Sequence, residues 1–351
     1  MKIGILTFHR ACNFGAVLQC YALQEVLKSI GHDSVVIDYV QPHTELIYKS
    51  FSVKRLCLLF PHYRRMFRYL IDYQWRKERK KMFREFMHQH LNLTTTCTKT
   101  NIPTDLDAYV IGSDQVWGLV CLGGHEDPVY MGNFQHPIDS KVLTYAISTN
   151  VQSLLQLGDE KLKHYAQNID VISFREAKVG KEFKRLTGRD YRIDVDPTLL
   201  TDASIWDSLI VPQWRDKNYI VVYQVRYPQG KKYLLEKARK LATSLECDVI
   251  DLSSKEYSPQ DFVSAIKYAR YILTSSFHAT VFSLIFRKKF CAVKLNDGYD
   301  ERYESLLKNI GGEKFLVSGE FTPTIEEVDY NLISDKLKEM RQKSMLYLKS
   351  I

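Results

Sequence analysis

Short apolar runs alternate with amphipathic stretches along most of this chain. Residues 2–8 predict a buried strand, residues 16–29 predict a helix that ends at Gly31, and residues 34–39 predict a second strand. A strand, a helix and a strand of this size favour a parallel pair joined by a right-handed crossover. The beginning of the chain therefore predicts an α/β unit on a parallel sheet.

Four further apolar runs extend this unit after a long helical stretch. They cover residues 107–114, 142–148, 170–176 and 192–197, and polar residues follow each of them. We place a first Rossmann-like domain at residues 1–205, with a basic helical insertion at about residues 44–92.

A second series of strands and helices follows the polar stretch around Trp206 and Trp214. Strands are predicted at residues 219–226, 247–253, 271–274 and 289–295, and helices at residues 230–245, 259–267 and 279–286. This series predicts a second Rossmann-like domain at residues 206–325. A last helix, at residues 326–351, is expected to pack back on the first domain. The fold class is therefore α/β, with two domains expected to face a cleft.

The composition is that of a folded protein, since 45% of the 351 residues are hydrophobic and 26% are charged. The first apolar run is too short for a signal peptide, and no stretch approaches the roughly 20 apolar residues of a membrane span. Seven cysteines are scattered without a Cys-x-x-Cys pair, as expected for reduced thiols and not for a zinc site. We therefore expect a cytoplasmic protein without a metal.

The net charge of +8 is unevenly distributed, because the stretch from Lys49 to Glu85 carries twelve Lys or Arg against three acids. Aromatic and aliphatic residues interleave with these cations at spacings typical of amphipathic helices. This basic segment, residues 49–85, has two open interpretations. It is a solvated cover of the core, or it docks on an anionic membrane or an anionic lipid-linked acceptor. Nucleic acid is not expected as a partner, because no recognised module accompanies the cations.

Polar residues collect where the predicted strands of the first domain end, and such ends line the ligand crevice of open parallel sheets. Asn13 and Gly15 lie at a helix N-terminus that favours anions, although a tight turn alone would also require Gly15. Gly112 permits an unusual backbone angle, and Asp114 could orient a sugar hydroxyl or cap a helix. Arg175 could bind a phosphate or carboxylate, or pair with a neighbouring acid.

The stretch ILTSSFHATVFSLIF, residues 272–286, places His278 where a strand becomes a helix. A ligand site is expected there in an open α/β sheet, but a buried histidine can also be structural. Ser276 could cap the helix, and its spacing to His278 does not indicate a hydrolase pair. Taken singly, none of these stretches decides the function.

Six stretches together resemble the polysaccharide pyruvyl transferase family. In order, they are NFGAVLQCYAL, YVIGSDQVW, TYAIS, ISFRE, DVDPTLL and SSFHATVFSLIF. The resemblance covers residues 3 to about 310 and implies a fold like that of the two-domain GT-B glycosyltransferases. It also implies phosphoenolpyruvate as the donor substrate, a sugar as the acceptor and a pyruvate ketal as the product, without a cofactor.

The resemblance implies that Arg175 and His278 contact the donor, and that His278 binds phosphate or transfers protons. Asp114 would orient or deprotonate the acceptor hydroxyl, and the turn with Asn13 and Gly15 would line the site.

Two cations of the family pattern are missing from this sequence. Ser276 stands where characterised branches carry an arginine, and Gly298 lies near the place of a lysine. Arg302 and Lys294 are the candidates to replace these cations, and Arg302 is preferred.

We therefore expect a cytoplasmic pyruvyl transferase that acts on a repeat unit of a capsule or exopolysaccharide. If this acceptor is a lipid-linked glycan, the enzyme works at the inner face of the plasma membrane. Two alternatives stay open. One is a GT-B glycosyltransferase that uses a nucleotide sugar, and the other is a non-catalytic relative that binds glycan or membrane.

Overall fold

The computed structural model describes residues 1–53, 56–57, 60, 62–225, 233–253, 257–296, 299–319, 321 and 329–351. The chain divides into two compact units, of which the first comprises Met1–Pro197 with Ser344–Ile351 and the second Thr198–Lys343. The sequence placed the boundary at residue 205 and a separate last helix from residue 326. No helix among the described residues has the length and apolar character needed to span a bilayer.

The first unit contains a six-stranded parallel sheet with the order β2-β1-β3-β4-β5-β6. Its strands are β1 (Lys2–Leu6), β2 (Asp33–Val36), β3 (Ala108–Asp114), β4 (Lys141–Ile147), β5 (Ser173–Phe174) and β6 (Arg192–Ile193). Its helices are α1 (Phe14–Ser29), α2 (Pro42–Ile47), α3 (Tyr63–Ile71), α4 (Tyr73–His90), α5 (Val151–Leu157), α6 (Asp159–Ala166) and α7 (Ala177–Thr187).

The strands predicted for this unit are present, and the central ones read as continuous apolar runs because both faces of a parallel sheet are covered. Residues 108–113 of β3 and residues 142–147 of β4 are all buried. The predicted end of α1 at Gly31 is confirmed, since Gly31 follows the helix with φ +92°. A positive φ just after a helix C-terminus favours glycine.

The second unit contains a five-stranded parallel sheet with the order β11-β10-β9-β7-β8. Its strands are β7 (Tyr219–Tyr223), β8 (Asp248–Asp251), β9 (Ile272–Thr274), β10 (Phe290–Lys294) and β11 (Leu316–Ser318). The helices after the first unit are α8 (Pro197–Leu200), α9 (Tyr233–Leu245), α10 (Pro259–Tyr268), α11 (Phe277–Ile285), α12 (Glu301–Asn309) and α13 (Asn331–Lys349). The predicted start of α9 at Gly230 lies outside the described residues.

The end of α13 belongs to the first unit. The Ser344 hydroxyl accepts the Val195 N–H at 3.1 Å, and the Tyr347 hydroxyl donates to Thr144 O at 2.9 Å. The Tyr347 ring stacks on Tyr145 with 6.2 Å between centroids. These contacts fix the last turn of α13 on the first sheet.

The two sheets share one strand order. Counted within its own unit, each sheet runs 2-1-3-4-5, and the first adds a sixth strand at its edge. The order reverses between β1 and β3 in the first unit and between β7 and β9 in the second. Ligands of open α/β sheets bind outside the carboxyl ends of the strands at such switch points. Both units are therefore Rossmann-like, as predicted, and each provides one place to look for a site.

Gly112 is required by the backbone of β3, where φ is +117° and an added Cβ would lie 2.4 Å from Tyr145 O. We expect Gly112→Ala to lower the free energy of unfolding of the first unit by about 2–4 kcal/mol, because the clash with a paired strand adds to backbone strain. Urea unfolding of both proteins measures the loss.

Gly31→Ala is the matched control for this substitution. Gly31 also has a positive φ, but no atom lies within 4 Å of its added Cβ. Only the backbone strain of about 1–2 kcal/mol should remain. Equal losses in the two variants would show that the approach of Tyr145 is unimportant.

Candidate functional site

A buried hydrogen-bond network joins the carboxyl ends of β1 and β3. The Thr7 hydroxyl donates to Ser113 O at 3.0 Å, and the Gln19 amide donates to the Thr7 hydroxyl at 2.8 Å. Gln19 Oε1 accepts the Ser113 N–H at 3.2 Å, and the Ser113 hydroxyl donates to Ala146 O at 2.6 Å. The first switch point is thus held rigid by paired polar groups.

Asn13 and Gly15 form the start of α1 beside this network. Asn13 is the N-cap residue, and its side chain accepts the Ala16 N–H at 3.3 Å. Asn13 is exposed, whereas Gly15 is buried in the first turn. Both predicted residues therefore lie at the carboxyl end of β1, in positions that the helix start itself requires.

Asp114 is the last residue of β3 and has φ +68°. Its carbonyl accepts the Ser148 N–H at 2.9 Å, which keeps the strand pair together beyond Gly112. A left-handed backbone is uncommon outside glycine and is often retained where function requires it. Asp114 is half-buried at the first switch point.

Arg175 lies directly after β5 in a cluster of acids. Its side chain is only 5% exposed, with Nη1 at 2.6 Å from Asp196 Oδ2 and Nε at 3.1 Å from Glu176 Oε1. Burial alone would lower the pKa of Arg175, but the carboxylates of Glu176, Asp196 and Asp114 outweigh burial and raise it. Glu176 Oε1 also accepts the Ser148 hydroxyl at 2.8 Å.

Two sequence interpretations of Arg175 can be compared with this geometry. One assigned Arg175 to the donor, and the other paired it with a neighbouring acid. The ion pair with Glu176 is present, and Asp196 is a further partner that the sequence did not suggest. The contacts therefore favour a positioning role, in which Arg175 holds carboxylates near Asp114.

A second polar cluster, after β1 and β2, escaped the sequence analysis. His9 Nε2 lies 2.9 Å from Asp38 Oδ1, and Arg10 donates to Asp38 at 2.6 Å and to Glu45 at 2.8 Å. Burial would raise the pKa of Asp38, but hydrogen bonds from His9, Thr96 and Arg10 outweigh it and hold the pKa below its usual range.

One signal could have revealed this cluster. His9 and Arg10 follow the end of β1 within a few residues, as Asn13 does. The rule that selected Asn13 applies equally to them.

His278 stands in the first turn of α11, immediately after β9, so the predicted change from strand to helix is confirmed. Ser276 is the N-cap, whose hydroxyl accepts the Ala279 N–H at 3.4 Å. Ser275 connects this turn to β7, because its hydroxyl accepts the Val225 N–H at 3.3 Å and its N–H donates to Tyr223 O at 3.2 Å. His278 therefore lies at the second switch point.

Lys294 and Arg302 lie at and after the end of the neighbouring strand. Lys294 ends β10, and its Nζ lies 2.9 Å from Glu304 Oε2. Arg302 is in the first turn of α12, and its Nε donates to Tyr299 O at 3.5 Å. Because β10 pairs with β9 in parallel, both cations lie at the same carboxyl end of the sheet as His278. The position near Gly298 lies outside the described residues.

A cavity of about 570 Å³ in the second unit lies toward the amino ends of the strands. It is lined near the C-terminal ends of α10 and α11, with Lys267, Arg287 and Arg341 among its side chains. None of the predicted site residues lines it. In the described part of the chain, no group of three His, Cys, Asp or Glu is placed to hold a metal ion.

The model of the polysaccharide pyruvyl transferase family matches residues 13–297. This match spans both switch points and well over half of the chain. The chain therefore belongs to the polysaccharide pyruvyl transferase family, as the six sequence stretches indicated. It is accordingly a transferase of polysaccharide biosynthesis.

No curated protein matches the chain. Among solved structures, it is similar to a UDP-GlcNAc 2-epimerase from Methanocaldococcus jannaschii, with 11% identity over 97% of this chain and 92% of that one and a TM-score of 0.43. A putative UDP-N-acetylglucosamine 2-epimerase from Listeria monocytogenes has 10% identity over 98% and 90%, with a TM-score of 0.46. An alpha-glucosyltransferase in complex with UDP and DNA has 10% identity over 99% and 95%, with a TM-score of 0.47. Likenesses this distant support no conclusion about function.

Proposed function

We propose that this chain transfers the enolpyruvyl group of phosphoenolpyruvate to a sugar of a capsule or exopolysaccharide repeat unit, forms a pyruvate ketal and releases phosphate. The observation that carries the proposal is the place of His278 in the first turn of α11, at the second switch point. A helix N-terminus favours an anion, and an imidazole there can exchange protons with it.

The reaction requires proton transfer and charge stabilisation, without a change in oxidation state. The vinyl carbon of phosphoenolpyruvate gains a proton, and the adjacent carbon then carries an oxocarbenium-like charge. Two hydroxyls of one sugar add to that carbon, their protons leave, and the bond to the phosphate oxygen breaks. A histidine can relay these protons near neutral pH.

The donor carries a carboxylate and a phosphate, so it needs fixed cations. In the second unit, Lys294 ends β10 and Arg302 follows that strand, at the carboxyl end of the sheet where His278 follows β9. Cations aimed at a developing dianion stabilise the transition state more than the ground state. We assign Arg302 and Lys294 to the donor, with Ser276 shaping the turn that presents His278.

The acceptor hydroxyls need hydrogen-bond acceptors and a base. Asp114 is half-buried at the first switch point and lies in the electrostatic reach of Arg175. We assign Asp114 to an acceptor hydroxyl, while Arg175 keeps the surrounding carboxylates in place. Asn13 and Gly15 border the same switch point.

Titration calorimetry with phosphoenolpyruvate, beside a panel of uridine and guanosine diphosphate sugars, tests the donor assignment. We expect saturable binding of phosphoenolpyruvate, which Arg302→Gln weakens about tenfold or more, because a charge-assisted contact is lost. Lys308→Gln is the matched control, since Lys308 lies exposed at the other end of α12.

Two outcomes would contradict this assignment. Binding of a nucleotide sugar without binding of phosphoenolpyruvate would favour a glycosyltransferase. Equal weakening by Arg302→Gln and Lys308→Gln would remove Arg302 from the donor site.

A further inference from the structure

Exposed apolar side chains concentrate in one stretch of the first unit. Nine of the seventeen exposed large hydrophobic residues in the described part of the chain lie between Ile47 and Tyr73. Scattered exposed apolar residues are ordinary on a soluble protein, but a concentration of this kind marks an interaction surface.

Helix α3 presents the centre of this concentration. Tyr63, Phe67, Leu70 and Ile71 are exposed to 68%, 65%, 44% and 63%. Their spacing of four, three and one residues puts them on one face of the helix, so they form a continuous stripe. We name these four residues the apolar stripe. An apolar stripe on a helix of a globular protein ordinarily faces the core, whereas this one faces solvent.

The opposite face of α3 is fixed to the protein. Tyr69 is only 5% exposed, and its hydroxyl accepts the Ser52 N–H at 2.8 Å. The guanidinium of Arg76 lies 3.9 Å from the centroid of the Tyr69 ring. The helix α3 is therefore attached to the protein, and the stripe still faces outward. Its inward face is already occupied.

Helix α4 connects this region to the core. Phe83 is buried against Phe14 of α1, with 5.4 Å between ring centroids. Arg79 donates to Cys12 O at 3.2 Å and lies over the Phe14 ring. The helix that follows the apolar stripe therefore packs on the core of the first unit.

The charge of this region identifies the partner that suits it. The basic segment contributes +9, from twelve cations minus three acids, while the whole chain has a net charge of +8. The remainder of the chain therefore sums to −1, so the excess positive charge lies within the stretch of sequence that also contains the stripe. A second copy of the chain would bring two such segments together, and like charges across an interface are costly.

We propose that the apolar stripe docks on an anionic lipid bilayer. The aromatic and aliphatic side chains of α3 enter the headgroup region, and exposed cations such as Arg64, Lys77 and Lys81 approach the lipid phosphates. An amphipathic helix with an apolar face and neighbouring cations lies in the plane of the interface in this way. The surface gives the enzyme access to an acceptor that is attached to a lipid.

Vesicle co-sedimentation tests the proposal on the full chain. We expect binding to vesicles of phosphatidylglycerol and phosphatidylcholine, weaker binding to pure phosphatidylcholine, and loss of binding as salt rises. Phe67→Ser with Ile71→Ser is expected to lower the partition coefficient about tenfold or more, because two exposed apolar side chains no longer enter the interface. Both residues are exposed, so the fold should remain, and a thermal unfolding scan verifies this.

Val120→Ser with Ile138→Ser is the matched control, because Val120 and Ile138 are 68% and 94% exposed outside the stripe. The proposal is overturned if the wild type does not bind anionic vesicles, or if both double variants lose binding equally. A dimer that Phe67→Ser dissociates, without any vesicle binding, would overturn it in favour of a second copy. Vesicle binding needs no turnover, so its failure would leave the proposed reaction untouched.

Discussion

His278→Gln is expected to lower phosphate release from phosphoenolpyruvate by about 10²–10⁴-fold, because a positioned acid–base group contributes a factor of this size. Glutamine retains a polar side chain of similar length but exchanges no proton near neutral pH. The measurement is phosphate release, with mass spectrometry of the pyruvylated sugar, on an acceptor that the wild type uses.

The control for this variant is His164→Gln, since His164 is exposed on α6 of the first unit. Thermal unfolding of both variants is measured beside turnover, because His278 is buried whereas His164 is exposed. If His278→Gln retains full turnover, His278 is part of the packing at the switch point and the proton relay must be sought elsewhere. A non-catalytic relative would show no phosphate release in any variant, including the wild type.

Arg175→Met is expected to destabilise the first unit by about 3–5 kcal/mol, because it leaves the buried carboxylates of Glu176 and Asp196 without their cation. Methionine fills much of the space of the arginine stem, so the loss reports the charges more than a cavity. Urea unfolding monitored by tryptophan fluorescence and by circular dichroism measures the change.

Two further variants sharpen this experiment. Adding Asp196→Asn to Arg175→Met should restore part of the lost stability, because one uncompensated charge is removed. Arg185→Met removes a guanidinium that pairs with Glu182. The Arg185 side chain is 63% exposed, so this substitution should lower the free energy of unfolding much less. Unchanged unfolding of Arg175→Met would show that the carboxylates do not depend on Arg175.

This expectation changes how activity data on Arg175 should be interpreted. A loss of turnover in Arg175→Ala would follow from a displaced Asp114 or a weakened first unit as readily as from a lost donor contact. Activity of this variant is informative only beside its unfolding curve. Arg302 and Lys294 provide a separate test of the donor, since Lys294 pairs with Glu304, whose side chain is 41% exposed, and Arg302 donates to the backbone oxygen of Tyr299.

The sequence predicted the features that depend on local pattern. Continuous apolar runs identified β3 and β4, because strands that are buried on both faces are apolar throughout. Gly31 marked the end of α1, because helix termination depends on the residue at that position. The same kind of signal placed His278 at the start of α11. Family membership followed from the order of six such local stretches.

The sequence did not predict features that depend on distant contacts. The run at residues 170–176 yields only Ser173–Phe174 in β5, because strand length is set by the neighbours available for pairing. Asp196 is 21 residues from Arg175, and Asp38 is 29 residues from His9. Such partners meet only when the sheet has assembled, so no spacing rule reveals them.

The division of α13 between the two units has a consequence for biosynthesis. Domains usually fold in the order in which they leave the ribosome, and the N-terminal one comes first. Here the first unit includes Ser344–Ile351, and Tyr347 packs on β4 within it. The unit that begins translation first therefore completes its packing only after the second unit has been synthesised. Until then, the surface of the nascent sheet around Tyr145 that Tyr347 covers stays exposed.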